Sequence, residues 1–353
     1  MTLNINDLKV YSGARIAIGS APEGYQSFLL AQLAQRERGG ILHVARDDRR
    51  MDAVAQATRF FAPNLDVMTF PAWDCLPYDR VSPNPLVASE RMDTLSRLVR
   101  SPTQKPRLVV TTVNALLQRV LPRSYLAQHI RSVGVGDTID IDDLSKSLTD
   151  IGYARTGTVM EPGEYSVRGG LIDIFAPGSP EPTRVDLFGD SVETIRTFEP
   201  STQRSTGRVE RFDLAPVGEV ALDSTSVARF RAGYTALFGV PSSNDGLYAA
   251  ASEGRRHSGI EHWLPLFHER LETLFDYTPN AFVTLDHLVE EARDARVEMI
   301  EEYYAARRNR EHEAGVDSLV YRPLAPDRLY CNANEWDEAL KERQVIAFSI
   351  FAR

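Results

Sequence analysis

The chain has 353 residues, 43% of them hydrophobic and 25% charged, which is the composition of a globular protein of two or three domains. Its formal net charge of −9 argues against a broad electropositive groove for nucleic acid, because binding to phosphates depends on Lys and Arg. The sequence lacks an apolar run long enough to span a membrane, and its two cysteines, Cys75 and Cys331, suit neither a disulfide framework nor a zinc site. We therefore expect a cytoplasmic protein with weak or no DNA binding.

The first third of the chain alternates strand-like and helix-like segments. Strands are predicted over 14–18, 40–44, 65–70 and 107–111, and helices over 25–35, 50–61 and 89–100. This alternation is typical of a parallel sheet flanked by helices. We assign residues 1–120 to the first segment of an α/β domain.

One loop in this segment has the glycine spacing of a phosphate-binding loop without its chemistry. Gly19 and Gly24 lie between a predicted strand and a predicted helix, as in G-x-x-x-x-G-K-[ST]. Tyr25 and Gln26 replace the lysine that neutralises phosphates and the hydroxyl residue that holds magnesium. Glu23, inside the loop, would repel a phosphate. We predict a packed strand-to-helix turn that binds no nucleotide, no cofactor and no metal.

The pattern changes after about residue 121. A short helix is predicted over 140–151, followed by short strands that alternate with period two and are separated by glycine- and proline-rich turns. This pattern favours a small antiparallel α+β domain over residues 121–215.

One strand of that region carries charge and an aromatic ring on the same face. Along 184–188, Arg184, Asp186 and Phe188 share one face because side chains alternate across a strand. Two interpretations are open from composition. Either the charges form solvated cross-strand pairs while Phe188 joins the core, or the face is a recognition surface anchored by arginine and an aromatic residue.

Helices return after residue 216. They are predicted over 224–237 and 286–311, with a strand candidate over 281–285, and we assign residues 216–353 to a third segment. An apolar, strand-like run over 345–351 stands immediately before the end of the sequence, which indicates a fragment of a longer protein.

The histidines of this third segment do not suggest a metal site. His257, His262 and His268 surround Trp263, but their spacing matches no standard zinc pattern. We therefore predict no metal, and we assign no catalytic residue.

Two blocks carry a resemblance to a known family. The first is GEYSVRGGLIDIF (163–175) with RVDLFGDSVETIRTF (184–198) and PSTQRS (200–205); the second is FPAWDCLPYDRVSPNPLVASERMDTLSRLV (70–99). Both resemble UvrB and, more closely, the UvrB-like amino-terminal module of the transcription-repair coupling factors (Mfd). The resemblance implies a degenerate P-loop-NTPase-like α/β domain into which the small α+β domain is inserted, with residues 216–353 completing the α/β lobe.

The resemblance also implies a partner and the residues that bind it. In the family this inserted domain binds the damage-recognition protein UvrA, and the matching positions are Arg168, Arg184 and Phe188. Leu187 stands where the family often has a second aromatic residue. The implied function is recruitment of UvrA to RNA polymerase stalled at a DNA lesion, with polymerase and DNA bound by later domains of an ATP-dependent DNA translocase. The alternative is an intramolecular regulatory scaffold that packs on that motor and restrains it.

Two features of the relatives are not reproduced by the sequence. UvrB clamps DNA with a long aromatic hairpin, whereas the corresponding stretch here, residues 73–85, is short, so Phe70, Trp73 and Tyr78 are predicted to be core. The strand over 281–285 resembles the one that carries the acidic magnesium motif of related ATPases. His287 replaces its glutamate, so Asp286 is predicted to cap the following helix.

Overall fold

The computed structural model describes residues 13–100, 106–313, 321–349 and 351. Within these ranges the strands form two six-stranded sheets and a two-stranded ribbon. The strands are β1 (Arg15–Ile18), β2 (Ile41–Ala45), β3 (Asp66–Phe70), β4 (Arg107–Thr112), β5 (Arg131–Gly134), β6 (Ala154–Arg155), β7 (Glu164–Arg168), β8 (Leu171–Ile174), β9 (Thr183–Phe188), β10 (Ser191–Phe198), β11 (Ser205–Arg208), β12 (Arg211–Leu214), β13 (Phe282–Leu285) and β14 (Val345–Phe348).

The helices surround these sheets. They are α1 (Glu23–Arg36), α2 (Asp48–Phe61), α3 (Pro85–Arg100), α4 (Val113–Leu117), α5 (Arg123–His129), α6 (Ile141–Asp150), α7 (Ser224–Phe238), α8 (Gly246–Ser252), α9 (Leu274–Tyr277), α10 (Val289–Glu313), α11 (Pro326–Leu329) and α12 (Ala333–Lys341), with a 3-10 helix over Ile260–Leu266. In the described ranges, every helix is too short or too polar to cross a lipid bilayer.

The first sheet has the order β1-β14-β13-β2-β4-β3, and all its neighbouring strands are parallel. The prediction of a parallel α/β sheet is therefore confirmed. Apolar clusters cover both faces, one built with α1 and α2 and the other with α3 and α4, so a central strand such as β2 is buried along its whole length. Strands from both ends of the described chain meet in this sheet, since β1 pairs with β14.

Capping explains where several helices begin. Asp47 accepts a hydrogen bond from the Arg50 backbone N–H at 2.7 Å, so α2 begins at Asp48, two residues before its predicted start. Helix α3 begins at Pro85, four residues early, because proline suits a first helical turn. Asp140 caps α6 through two backbone N–H groups, close to the predicted bound.

The second sheet has the order β11-β10-β9-β8-β7-β6 and is antiparallel except for the β6–β7 pair. The predicted antiparallel strands are thus confirmed, with that one exception. Leu144 and Leu148 of α6 pack on one face, against the alternating apolar side chains of β8 and β9. The opposite face carries the charged side chains of these strands. The domain limits 1–120, 121–215 and 216–353 stay predictions.

The region between α7 and β13 holds short helices that the sequence analysis did not identify. The 3-10 helix buries Trp263 and Leu264 in a third apolar cluster, together with Phe230 and Tyr234 of α7. Short helices give little periodic signal, which is why their positions are not visible in the sequence. The aromatic stretch before α3 joins the interior as predicted, with Phe70, Trp73 and Tyr78 all at most 4% exposed.

Candidate functional site

The face of the second sheet opposite α6, called the open face below, holds a row of charged side chains on adjacent strands. Asp173 on β8 lies directly opposite Arg184 on β9, Arg184 lies opposite Arg196 on β10, and Arg196 lies opposite Arg208 on β11. Residues opposite one another in a sheet point to the same side. The row therefore crosses four strands on one face.

Arg184 is held inside this face by contacts with three residues, Asp173, Gln203 and Phe198. Its Nε and Nη2 atoms donate to the two carboxylate oxygens of Asp173 at 2.7 and 2.9 Å. Its Nη1 donates to the carbonyl of Gln203 at 3.3 Å, and its guanidinium lies 4.5 Å from the ring centre of Phe198. The hydrogen bonds to Asp173 raise the pKa of Arg184 above its ordinary value. The Arg184 side chain is only 14% exposed and that of Asp173 only 1% exposed, so the pair is an internal one.

Arg168 and Phe188 are more accessible than Arg184. Arg168 reaches the same carboxylate of Asp173 at 2.5 Å, yet its side chain is 49% exposed. Phe188, at the end of β9, is 81% exposed, so the interpretation that placed it in the core is wrong. Leu187 faces the other way and packs partly against the apolar cluster under α6.

The carboxylates on this face were not all recognised from the sequence. Asp186 accepts from Arg196 at 2.7 Å and from the hydroxyl of Thr194 at 2.6 Å, as the cross-strand-pair interpretation expects. Asp173, which holds two of the predicted site residues, was missed. A carboxylate inside the apolar run Leu171–Ile174 was the available signal, because a buried charge requires a partner.

The loop after β1 is filled by an internal polar network. Gln26 is buried, and its Nε2 donates to the carbonyl of Ala21 at 2.8 Å. Arg50, from α2, donates through Nη2 to Gln26 Oε1 at 2.6 Å and through Nε to Asp286 at 3.1 Å, and it lies 3.3 Å from Glu23. Gln26 and Asp286 are therefore both engaged with protein atoms.

Other predicted residues of this loop lie at its border. Tyr25 is half-buried with its ring 6.0 Å from that of Phe28, and Gly24 is exposed with open space where a Cβ would lie. Gly19 is the first residue after β1, and it is followed by Ser20, whose φ is 57°. The left-handed backbone at a non-glycine residue shows that this turn is fixed by its surroundings.

Asp286 does not cap the helix that follows it, contrary to the prediction. Its carboxylate accepts from Arg50, and α10 begins three residues later at Val289. The buried guanidinium supplies the stronger, charge-assisted partner for that carboxylate. His287 is half-buried, with its ring 5.7 Å from that of Phe351.

A second buried ion pair joins the aromatic block to the chain after β12. Arg91 of α3 is fully buried, donates from Nε to Glu219 at 2.7 Å and lies 4.2 Å from the ring centre of Phe70. The indole N–H of Trp73 donates to the same Glu219 oxygen at 3.0 Å. Nothing in the local sequence pattern marked Arg91 as buried, because an arginine on a helix is usually solvated.

The three histidines noted in the sequence do not converge. His257 is exposed, His262 is enclosed by the rings of Trp73 and Tyr78, and His268 is hydrogen-bonded to the Glu219 carbonyl at 2.8 Å. Across the part of the chain that the structure describes, no group of His, Cys, Asp and Glu side chains is arranged to hold a metal ion.

Comparisons with known proteins identify the family. Residues 132–219, which include the open sheet face, match the family model described as UvrB interaction domain. Over 333 residues, covering 94% of the chain, the sequence is 31% identical to a transcription-repair-coupling factor of Haemophilus influenzae. It is 32% identical over 338 residues to the protein of that name from Escherichia coli, with 93% of the chain covered. The chain belongs with the transcription-repair coupling factors, as their amino-terminal UvrB-like module.

The match covers a limited part of those relatives. The chain spans 28% of the length of the H. influenzae and E. coli proteins, and 23% of a transcription-repair-coupling factor of Myxococcus xanthus to which it is 33% identical. The open face, with Arg168, Arg184 and Phe188, lies within the segment that the UvrB interaction domain model covers.

Proposed function

We propose that this chain is a non-catalytic, cytoplasmic protein-binding module that recruits the excision-repair protein UvrA to RNA polymerase stalled at a DNA lesion. One observation carries the proposal. Phe188 is 81% exposed on an open sheet face beside the half-exposed Arg168, within the segment that matches the UvrB interaction domain. Aromatic and arginine side chains are the residue types that dominate binding energy at protein interfaces.

The three predicted contact residues have different roles in this proposal. Phe188 fills an apolar pocket on UvrA, and Arg168 makes charge-assisted hydrogen bonds to acidic groups there. Arg184 exposes little surface, so it contributes a smaller contact and holds Asp173, which in turn orients Arg168. Binding then depends on the face as a unit.

The module does not hydrolyse ATP in this proposal. The position of the phosphate-binding lysine is Tyr25, and the loop is occupied by Arg50, which binds Gln26, Glu23 and Asp286. A nucleotide phosphate would have to displace Gln26 from Arg50 and approach Glu23. We expect ATP with magnesium to leave the thermal unfolding midpoint unchanged; a saturable rise with ATP concentration would contradict this part of the proposal.

Polymerase and DNA contacts belong to other parts of the longer protein in this proposal. The chain itself has a net charge of −9 and offers short rows of arginine rather than a wide basic groove. We expect weak or no binding of duplex DNA by the chain alone.

Calorimetric titration of UvrA with the chain tests the recruitment proposal. We expect saturable binding by the natural sequence and loss of binding in a variant that combines Arg168→Ala with Phe188→Ala. Circular dichroism before the titration establishes that the variant is folded. If the natural sequence does not bind UvrA, the recruitment proposal is rejected.

The scaffold alternative has one observation in its favour. Phe60 is 78% exposed, and with Phe61 and Phe28 it forms a strip of contacting rings on α1 and α2, outside the second sheet. Such a strip suits packing against another part of a longer protein. Under this alternative, Phe60→Ser in the full-length protein raises ATP hydrolysis by the motor, and an unchanged rate rejects it.

A further inference from the structure

The open face carries more positive charge than its own carboxylates balance. Arg184, Arg196 and Arg208 stand directly opposite one another on β9, β10 and β11. Like charges placed opposite one another in a sheet are unfavourable, so a row of three arginines costs stability unless anions lie close by.

Two carboxylates reduce this cost for Arg184 and Arg196 but not for Arg208. Asp173 is shared between Arg168 and Arg184, and Asp186 binds Arg196. Arg208, at the edge strand, is exposed and has no hydrogen bond or ion pair from its side chain among the described residues. Glu164 shares the face with Arg168 on β7, and its carboxylate accepts hydrogen bonds from the backbone N–H groups of Met160 and Glu161. Four arginines against three carboxylates leave an excess of one positive charge on this face of a chain whose net charge is −9.

The neighbouring groups favour an acidic protein surface over nucleic acid as the occupant. Asp173 lies within the row and Asp186 lies next to it on the same face, and both would repel a continuous line of phosphates, whereas separate carboxylates can pair with individual guanidinium groups. The exposed ring of Phe188 on the same face suits an apolar pocket in a protein partner. Long-range attraction between such a face and an acidic partner increases the rate of association.

We propose that Arg196 and Arg208 extend the binding face beyond Arg168, Arg184 and Phe188, and that they pair with acidic side chains on the partner. This inference rests on the proposed function, since the partner in question is UvrA. Arg208 is free to form a new ion pair, while Arg196, 33% exposed and held by Asp186, presents its remaining N–H groups from a fixed position. The edge of the sheet at β11 therefore belongs to the interface.

Charge reversal at Arg208 tests the inference directly. Arg208→Glu and the control Lys146→Glu change the net charge equally, but Lys146 is exposed on α6, which packs on the opposite face of the sheet. Titration of UvrA should show an affinity loss on the order of tenfold for Arg208→Glu and less than about twofold for Lys146→Glu. Arg208→Gln should give an intermediate loss, and for both Arg208 variants affinity should fall less steeply with added salt than it does for the natural sequence.

The outcomes separate this inference from the proposal beneath it. If the natural sequence binds UvrA and Arg168→Ala with Phe188→Ala abolishes binding, but Arg208→Glu behaves like Lys146→Glu, the inference is overturned and the recruitment proposal stands. If the natural sequence does not bind UvrA, both fail, and this is seen before any variant is made. A loss of duplex-DNA binding in Arg208→Glu, with UvrA affinity unchanged, would assign the row to nucleic acid and also overturn the inference.

Discussion

Arg184 and Asp173 are joined by two parallel hydrogen bonds that fasten β9 to β8 on the open side of the sheet. Because Asp173 is almost fully buried, Arg184→Ala leaves its carboxylate short of its principal partner. We expect a loss of about 3 kcal/mol in the free energy of unfolding, measured by urea denaturation.

Arg196→Ala on the next strand is the matched control for that variant. Its ion pair with Asp186 is partly solvated, so we expect a loss below about 1 kcal/mol. Equal losses for the two variants would contradict the assignment of Arg184 as an internal support. Any effect of Arg184→Ala on UvrA binding therefore has to be measured together with its effect on the free energy of unfolding.

Phe188→Ala should separate binding from stability. The ring is 81% exposed, so its removal should change the free energy of unfolding by less than about 0.5 kcal/mol. If it fills a pocket on UvrA, its removal should cost about 2 kcal/mol of binding free energy, measured by calorimetry. Val240→Ala removes another exposed apolar side chain, 86% exposed and outside the second sheet, and should alter neither quantity. An unchanged affinity for Phe188→Ala would remove this residue from the interface.

Arg91→Met should be among the more destabilising single substitutions in α3. It leaves the Glu219 carboxylate buried with the Trp73 indole as its remaining side-chain partner, which should cost about 3–5 kcal/mol of unfolding free energy. The double variant with Glu219→Gln should lose less than the sum of the two single variants, because it removes the uncompensated charge. Additive losses in urea denaturation would show that the two side chains do not act as a pair.

Two buried histidines should make the protein less stable in mild acid. Burial lowers the pKa of His43 to about 4 and that of His262 to about 4, against an ordinary value of 6.5. Below pH 6.5 these two histidines bind protons in the unfolded chain but stay neutral in the folded one. The free energy of unfolding is therefore at its full value above pH 6.5 and decreases as the pH falls towards 4. Between pH 7 and pH 5 we expect a loss of about 2 kcal/mol for each histidine, measured by urea denaturation at the two pH values.

His262→Gln should remove its share of that pH dependence, while His257→Gln, at an exposed position, should leave it intact. Asp79 and Arg307 act on His262 in opposite directions and are smaller causes than burial. The same pH dependence in both variants would mean that other groups are responsible.

The sequence predicted the parts of this structure that depend on local pattern. The spacing of apolar residues predicted the strands of the first sheet and the helices that flank it. The alternation of side chains along a strand placed Arg184 and Phe188 on one face of β9. What local pattern could not give is pairing at a distance. The partner of Arg184 lies on another strand, in a register set by the intervening loop, and the guanidinium of Arg50 reaches Asp286 from 236 residues away. Arg91 was missed because its residue type argues for solvent, whereas its position between Phe70 and Glu219 requires burial.

The pairing of β1 with β14 has a consequence for synthesis on the ribosome. Arg15 acquires its neighbour Val345 only after nearly the whole described chain has been made, whereas the second sheet has all its strands once residue 208 has emerged. Contacts between residues distant in sequence form slowly, and chains fold as they are synthesised. We therefore expect the face that carries Phe188 to form on the nascent chain while β1 is still unpaired, because β14 has not yet been synthesised.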